Sequence, residues 1–269
     1  MTSALRTPAV AGRFYPRNPS ELLETVRSYT PAEESLPAIG CVAPHAGYMY
    51  SGHVAGAVYA RLQIPEHCIV LCPNHTGMGQ PLSIMTQESW QTPLGDVPAD
   101  SELGRDLLHR YPLLTEDASA HRSEHAIEVQ LPFLQMRQRA LNLIPIAVGT
   151  SDFEALAGLG EAIAQAIAAQ KEKVLIVASS DMNHYESDAV TRVKDRKAIE
   201  RVLDLDPRGL WEVVMNEQIS MCGFGPTVAM LTAARRLGAT SATLVKYATS
   251  GDVSGDRDLV VGYAGIIVQ

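Results

Sequence analysis

Short apolar runs that end at polar residues recur along this chain, and helical patterns separate most of them. The clearest run, Val174 to Ala178, follows a charged triplet and stops at two serines. A continuous apolar run of this length is typical of a strand buried on both faces of a sheet. Asp181 and His184 lie just beyond its carboxyl end. Because ligands in open α/β sheets bind at the carboxyl ends of strands, this turn is a candidate site.

Strand and helix patterns alternate over the whole length. Strands are predicted at 38–43, 67–72, 82–86, 141–148, 174–178, 242–249 and 259–268. Helices are predicted at 21–29 with Ser20 as the N-cap, at 52–62, 100–111, 127–139, 152–170, 188–203 and 207–216, and in a last segment with Pro226 at its first position. This alternation favours one α/β domain over residues 1–269, with a central, mostly parallel or mixed sheet flanked by helices.

Composition and charge argue against several classes of protein. An apolar content of 46% in 269 residues is enough for a large core. The net charge of −8, without a cluster of Lys and Arg, argues against nucleic-acid binding. No apolar run approaches the roughly 20 residues of a membrane span, and the N-terminus lacks the apolar region of a signal peptide. We therefore expect a cytoplasmic protein that binds neither nucleic acid nor membranes.

Three histidines occupy equivalent places after predicted strands. His45 and His75 each follow a strand and a proline and precede a glycine, and His184 follows the run described above. A single histidine in such a turn is more often a hydrogen-bonded structural residue. Imidazoles from separate strands, however, are what a catalytic metal centre needs. Asp181 is read in two ways, as the group that orients His184 or a metal-bound water, or as a helix cap after Asn183.

The four cysteines are too few for a disulfide framework in a chain of this length. Cys41, Cys68 and Cys72 fall within apolar strand patterns, which predicts small buried side chains. Cys222 differs because it precedes Gly223 just before a predicted helix, where the helix dipole favours a thiolate. A thiolate is a nucleophile or a metal ligand. A buried thiol beside a glycine-rich turn is an equally good interpretation.

A rival motif is formed by His121, Glu124 and His125, which fit the H-x-x-E-H pattern of inverted zinc proteases. In that pattern two histidines one helical turn apart bind zinc and the glutamate activates water. The preceding 118–120 segment is a poor continuous helix, and the strand-end histidines would have no role. A zinc hydrolase is therefore the lesser alternative.

Six ordered blocks resemble the Memo family, and they extend from near the N-terminus to beyond Cys222. They are AGRFYP at 11–16, PHAGYMYSG at 44–52, PNHTG at 73–77, EHAIEVQLP at 124–132, SSDMNHY at 179–185 and CGFGP at 222–226. The resemblance implies a fold similar to that of class III extradiol dioxygenases, with a metal pocket at the edge of a central sheet. In those enzymes two histidines and a glutamate hold Fe(II), and another histidine acts in acid–base chemistry.

The resemblance also implies roles for individual residues. His45 and His75 would be the two imidazole ligands, Cys222 would stand in place of the glutamate, and His184 would be the base. Glu124 and His125 would lie near the pocket, either as substrate contacts or as groups that support the metal ligands. Tyr48 would be a substrate contact too, and Tyr50 and Tyr185 would line the same cavity. Fe(II) is the expected metal, with Cu or Zn as alternatives because a thiolate is a softer donor than a carboxylate.

Oxidation of a small aromatic or phenolic substrate with O₂ is the activity that the resemblance implies. A different class of function is a non-catalytic protein that binds a ligand or peptide, since animal members of the family act in receptor-driven cell motility. Bacterial and archaeal relatives are often associated with a radical-SAM protein and a second small protein. The resemblance therefore implies these two as partners.

Overall fold

A nine-stranded mixed sheet forms the centre of the computed structural model, which describes residues 5–269. The strands are β1 (Leu5–Arg6), β2 (Gly40–Ala43), β3 (His67–Pro73), β4 (Leu82–Ile84), β5 (Ser89–Thr92), β6 (Gly95–Val97), β7 (Thr115–Glu116), β8 (Asn142–Val148), β9 (Val174–Ser179), β10 (His184–Glu186), β11 (Ala242–Thr249) and β12 (Val260–Val268). The helices are α1 (Pro19–Tyr29), α2 (Tyr48–Ala60), α3 (Ser101–Arg110), α4 (Leu131–Arg137), α5 (Phe153–Ala168), α6 (Asp188–Leu203), α7 (Pro207–Asn216), α8 (Phe224–Arg236) and α9 (Gly251–Ser254). A 3₁₀ turn over Glu128–Gln130 leads into α4.

The sheet has the order β10-β12-β2-β9-β3-β8-β4-β7, with β11 paired to β12 outside this path. Its middle strands β2, β9, β3 and β8 are parallel, and antiparallel strands flank them on both sides. Strands β1, β5 and β6 form a separate small sheet. The prediction of an α/β fold with a mixed sheet between helices is confirmed.

Alternate residues of the central strand β3 point into two different cores. Ile69 and Leu71 belong to the core that packs against α5 and α8. Cys68, Val70 and Cys72 belong to the core on the opposite face, with α1, α2 and α4. Because successive side chains of a strand point to opposite faces, a strand covered on both faces needs a continuous apolar run.

Several helix boundaries differ from the predicted ones. Helix α1 begins at Pro19 and is capped by Asn18, whose Oδ1 accepts from the amides of residues 20 and 21 at 2.9 and 3.1 Å, so Ser20 is not the cap. Helix α2 begins at Tyr48 rather than at Gly52. Glycines within α2 allow close packing: a Cβ on Gly56 would lie 2.2 Å from the Tyr29 carbonyl oxygen.

The helix predicted over 127–139 is shorter than expected. It divides into the 3₁₀ turn and α4, and Pro132 lies in the first turn of α4, where its missing amide hydrogen is tolerated. Helix α8 starts at Phe224, two residues before Pro226. Over residues 5–269, every helix is too short or too polar to cross a lipid bilayer.

Helix α6 buries a carboxylate beneath the sheet. Asp195 Oδ1 accepts a hydrogen bond from the Asn183 amide at 2.8 Å, and Oδ2 accepts one from Tyr247 Oη at 2.6 Å. Burial raises the pKa of Asp195 to about 7, although both hydrogen bonds and the charge of Arg192 oppose this shift. The side chain therefore changes charge near neutral pH.

We expect Asp195→Asn to flatten the dependence of stability on pH. Between its unfolded pKa of 3.8 and its folded pKa of about 7, the unfolded state releases the proton and the folded state keeps it. The free energy of unfolding therefore falls as pH rises through this window, by on the order of 4 kcal/mol from this group. Urea titrations at pH 5 and pH 8 should show that the variant loses less stability between them than the wild type. A pH dependence equal to that of the wild type would contradict the burial of this charge.

Candidate metal centre

Three histidines converge at the carboxyl ends of the central strands. His45 follows β2, His75 follows β3, and His125 lies in the loop before the 3₁₀ turn. One ligand nitrogen from each lies within 4.8 Å of the other two. The ring centroids are 4.8 to 5.5 Å apart. Three imidazoles this close can hold a metal ion, and imidazole suits iron, copper, zinc and nickel.

The hydrogen bonds of Ser179 fix the tautomer of His45. The Ser179 hydroxyl donates its hydrogen to the Ala126 carbonyl at 2.7 Å and accepts from Gln130 Nε2 at 2.8 Å. His45 Nδ1, 2.9 Å from the same oxygen, must therefore carry a hydrogen and donate it. Burial, followed by the neighbouring His75 and His125, lowers the pKa of His45 well below its usual value. His45 is thus neutral, and its Nε2 carries a lone pair that can bind a metal ion.

Glu124 fixes the second histidine. Its Oε1 accepts from His75 Nδ1 at 2.9 Å, and its Oε2 accepts from the His75 amide at 2.7 Å. Burial alone would raise the pKa of Glu124, but the hydrogen bond and charge of His75 and the Ala126 amide lower it to about 2. For His75, burial is outweighed by the Glu124 carboxylate, which raises the pKa. A carboxylate on the far nitrogen of a metal-binding histidine orients the ring and makes it a stronger donor.

His125 lies closer to the centre than the sequence indicates. The resemblance implied a substrate contact or a supporting role for it, whereas the structure makes it the third member of the imidazole cluster. Its amide donates to Glu124 Oε1 at 2.8 Å, and its Nδ1 is 3.4 Å from the same oxygen. Burial lowers the pKa of His125, partly opposed by the Glu124 charge. One buried carboxylate thus supports two of the three rings.

Cys222 reaches the same point from the loop before α8. Its Sγ lies 3.2 Å from His45 Nε2 and 3.7 Å from the Asp181 carbonyl oxygen. The chain packs tightly here, since a Cβ on Gly223 would lie 2.4 Å from the Ser179 carbonyl oxygen. Burial and then the Asp181 charge raise the pKa of Cys222 well above its usual value. Burial thus opposes the thiolate that the helix terminus is expected to favour. A ligand role for Cys222 stays a prediction.

Asp181 holds the loop of His45. Its Oδ1 accepts from the His45 amide at 2.7 Å, and its Oδ2 lies 4.0 Å from His45 Nε2. Burial raises the pKa of Asp181, and the hydrogen bond from His45 opposes the shift. No helix starts after Asn183, because β10 follows and Ser187 caps α6. The helix-cap reading of Asp181 is therefore wrong.

His184 is oriented by Ser220 rather than by Asp181. Its Nδ1 lies 2.9 Å from the Ser220 carbonyl oxygen, which can only accept, so Nδ1 carries the hydrogen. The His184 amide donates to Ser220 Oγ at 2.8 Å. Asn183 Oδ1 accepts from the Ser220 amide at 3.1 Å and from its hydroxyl at 3.0 Å. These bonds leave His184 Nε2 as a proton acceptor.

Comparisons with known proteins cover almost the full length of the chain. The sequence model of the family described as "Memo-like protein" matches residues 6–267. A MEMO1 family protein of Methanosarcina mazei is 44% identical over 268 residues, covering 98% of this chain and 99% of that protein. One from Methanopyrus kandleri is 42% identical over 279 residues, with coverage of 98% and 99%.

The chain belongs to the Memo family.

Its fold is also seen in a distant solved structure. The crystal structure of an uncharacterized protein from Escherichia coli matches with a TM-score of 0.53 at 12% identity, and the match covers 85% of this chain and 98% of that one. At this identity the likeness concerns the fold alone.

In this Memo-family protein the cluster opens into a cavity of about 560 Å³. The polar groups His45, His75, His125, Asp181, His184 and Cys222 line it together with the aromatic side chains Phe14, Tyr185 and Tyr263. Within the described chain, no lysine or arginine lines this cavity. It therefore combines an imidazole-rich floor with aromatic walls.

Tyr48 and His121 lie away from the cavity. Tyr48 is buried, its hydroxyl donates to the Val129 carbonyl at 2.7 Å, and it is not among the residues that line the cavity, so it packs in the core. His121 is fully buried against the Trp90 ring, and its Nε2 lies 3.3 Å from the Ser83 carbonyl oxygen. The segment that carries it is not helical. The alternative of a zinc hydrolase is therefore wrong, because the two histidines are not one helical turn apart.

Three supporting residues were not assigned roles from the sequence. Gln130 donates to the Pro44 carbonyl at 2.9 Å as well as to Ser179, and Ser220 orients His184. Gln130 and Ser179 lie within blocks that resemble the family, which was a usable signal. Ser220 lies in no such block, and only its contacts identify it.

Replacing Glu124 by glutamine is expected to weaken metal binding about 10- to 100-fold. The amide keeps the shape but loses the charge that orients His75, and one of its two polar atoms can no longer accept hydrogen bonds. Competition with a chelator would measure the loss. The control is Glu116→Gln, because Glu116 also accepts bonds from an amide and a hydroxyl, both of Thr86, but away from the cluster. Equal affinities for wild type and Glu124→Gln would exclude this supporting role.

Proposed function

We propose that this protein is a metal-dependent oxidoreductase that oxidises a small aromatic or phenolic substrate with O₂. The convergence of three neutral or carboxylate-supported imidazoles on one point of the cavity floor carries the proposal. The resemblance implies His45, His75 and Cys222 as ligands, and the structure clusters His45, His75 and His125. His45 and His75 belong to both sets. His125 would supply the third imidazole, and Cys222 is close enough to His45 to join as a further donor.

The donor set fits iron or copper. Imidazole binds both metals. A sulfur ligand from Cys222 would favour a softer ion such as Cu(I), or would change the reduction potential of bound iron. Fe(II) remains the first expectation. When bound, such an ion would supply the activation of O₂.

The protein's own groups account for proton transfer and substrate orientation. His184 Nε2 is left free by the bond from Nδ1 to Ser220 and can accept a phenolic proton at the cavity. The aromatic walls suit a flat ring, since ring pairs contribute about 0.5–1.5 kcal/mol beyond simple burial. The lack of a lining Lys or Arg favours substrates without a carboxylate or phosphate.

Oxygen uptake tests this proposal directly. Protein purified without O₂, loaded with Fe(II) and mixed with catechol should consume O₂ and form a ring-opened product. One carbon–carbon bond of the ring breaks and both oxygen atoms enter the product, so no outside reductant is required. Ligand binding without O₂ uptake or product, with iron and with copper, would instead favour a binding protein that kept the dioxygenase fold.

His184→Gln is expected to leave Fe(II) bound while slowing oxidation by roughly a hundredfold or more, because it removes the proton acceptor. Metal content and uptake rate would be measured on the same preparation. Loss of the metal would make His184 a ligand instead of a base.

A further inference from the structure

Tyr185 has a backbone conformation that bulky residues avoid. Its φ is +61°, and only Leu205 and Gln218 share a positive φ among the non-glycine residues of the described chain. The left-handed region brings Cβ close to the following carbonyl oxygen, at roughly 1–2 kcal/mol per residue. Such strain persists where the surrounding structure enforces it, and it concentrates at functional sites.

Hydrogen bonds on both sides of Tyr185 enforce this conformation. Asn183 before it donates from Nδ2 to Glu186 Oε2 at 2.7 Å, and its amide is held by Asp195. Glu186 after it also pairs with Lys194 Nζ at 2.6 Å. The pairing of β10 with β12 shifts register between residues 184 and 186. The chain is thus anchored on each side of a single left-handed residue.

The result of this geometry is an exposed ring at the cavity. Tyr185 is 72% exposed, yet it lines the cavity, and its ring centroid lies 5.6 Å from that of His184 at 63°. The hydroxyl makes no hydrogen bond to the described residues. The hydrogen bonds that hold the strained backbone come from the neighbouring residues, and the Tyr185 side chain itself gains neither core packing nor a hydrogen bond within the described chain. The interaction that remains open to the Tyr185 ring is contact with a molecule in the cavity.

We infer that Tyr185 determines specificity by packing its ring against the aromatic ring of the substrate. This inference rests on the proposed aromatic substrate class, but it concerns binding and does not require turnover. Phe14, whose ring meets His125 edge-on at a centroid distance of 4.8 Å, supplies a second aromatic wall. A bound ring would cover Tyr185, and the covered area together with the ring contact gives a preference for flat ligands.

Anaerobic calorimetry on Fe(II)-loaded protein tests the inference, with catechol and trans-cyclohexane-1,2-diol as probes. The diol carries two hydroxyls on adjacent carbons of a non-aromatic ring. Tyr185→Asn should bind catechol about tenfold more weakly, because asparagine tolerates a positive φ but has no ring. Its affinity for the diol should change less than about twofold. Tyr185→Phe should bind catechol within about twofold of the wild type.

Gln218→Asn is the matched control. Gln218 is exposed, has φ +53° and does not line the cavity. Both asparagine variants should unfold at a higher urea concentration than the wild type, but only Tyr185→Asn should lose catechol affinity. Tyr185→Gly serves as a second ringless variant and should match Tyr185→Asn.

Unchanged catechol affinity in both ringless variants would overturn the inference, as would wild-type protein that fails to bind catechol more tightly than the diol. Ring-dependent binding without any O₂ uptake would remove the proposed oxidation and leave the role of Tyr185 standing. Oxygen uptake together with a catechol affinity that does not depend on Tyr185 would remove the role of Tyr185 and leave the proposed oxidation standing.

Discussion

Alanine at His45, His75 or His125 is expected to lower the affinity for Fe(II) by at least about a hundredfold. Each change removes one of three imidazoles whose ligand atoms lie within 4.8 Å of one another. Loss of a supporting group alone reduces metal affinity 10- to 100-fold, so loss of a donor should have a larger effect. Elemental analysis after anaerobic loading, with chelator competition, gives both stoichiometry and affinity.

Two further variants make this experiment decisive. His184→Ala should keep the metal, because its ring is held by Ser220 outside the cluster. Cys222→Ser separates the two ligand sets: wild-type affinity in this variant, with loss in His125→Ala, would establish the three imidazoles as ligands. The opposite pattern would establish His45, His75 and Cys222. Wild-type metal content in all of these alanine and serine variants would end the metal proposal.

Glu128→Ala is expected to lower the free energy of unfolding by about 3–5 kcal/mol, because it leaves a buried charge unpaired. Glu128 is fully buried and forms an ion pair with Arg6, which is buried as well. The same carboxylate accepts from the amides of Ala9 and Val10 at 2.7 and 3.0 Å and from Tyr15 Oη at 2.6 Å. Removing it leaves a guanidinium and two amides without this acceptor.

Urea unfolding at pH 7 measures this loss, and Glu154→Ala is the control. Glu154 forms an exposed pair with Arg208 at 2.8 Å, so its removal should change stability by less than about 1 kcal/mol. Similar small effects in both variants would show that the Glu128 pair contributes no more than a surface pair. Because Glu128 anchors the segment that carries Phe14, its loss should also weaken catechol binding.

The sequence predicted some elements to the residue and others poorly, and the difference has a local cause. Helices α6 and α7 were predicted with their observed bounds, and each is capped locally, since Ser187 and Asp206 accept hydrogen bonds from amides three residues away. The predicted range of α2 begins too late, at Gly52 instead of Tyr48, because glycine is typical of a helix boundary. Gly52 lies inside the helix because Tyr29 packs closely against it, and Tyr29 is distant from it in sequence.

The same distinction applies to the site. His45, His75 and His184 could be predicted because each follows an apolar strand, and parallel strands bring their carboxyl ends to one edge. His125 follows no strand. Its loop reaches the cluster through Glu124, which accepts from amides at residues 75, 125 and 126.

The sequence by itself determined the α/β alternation, the buried strands and the family, since apolar periodicity and contiguous motifs are local properties of the chain. Tertiary structure alone decided that His125 joins the cluster, that Ser220 rather than Asp181 orients His184, and that the backbone of Tyr185 is strained. These features depend on hydrogen bonds and packing between segments far apart in sequence, and no local pattern encodes such distances.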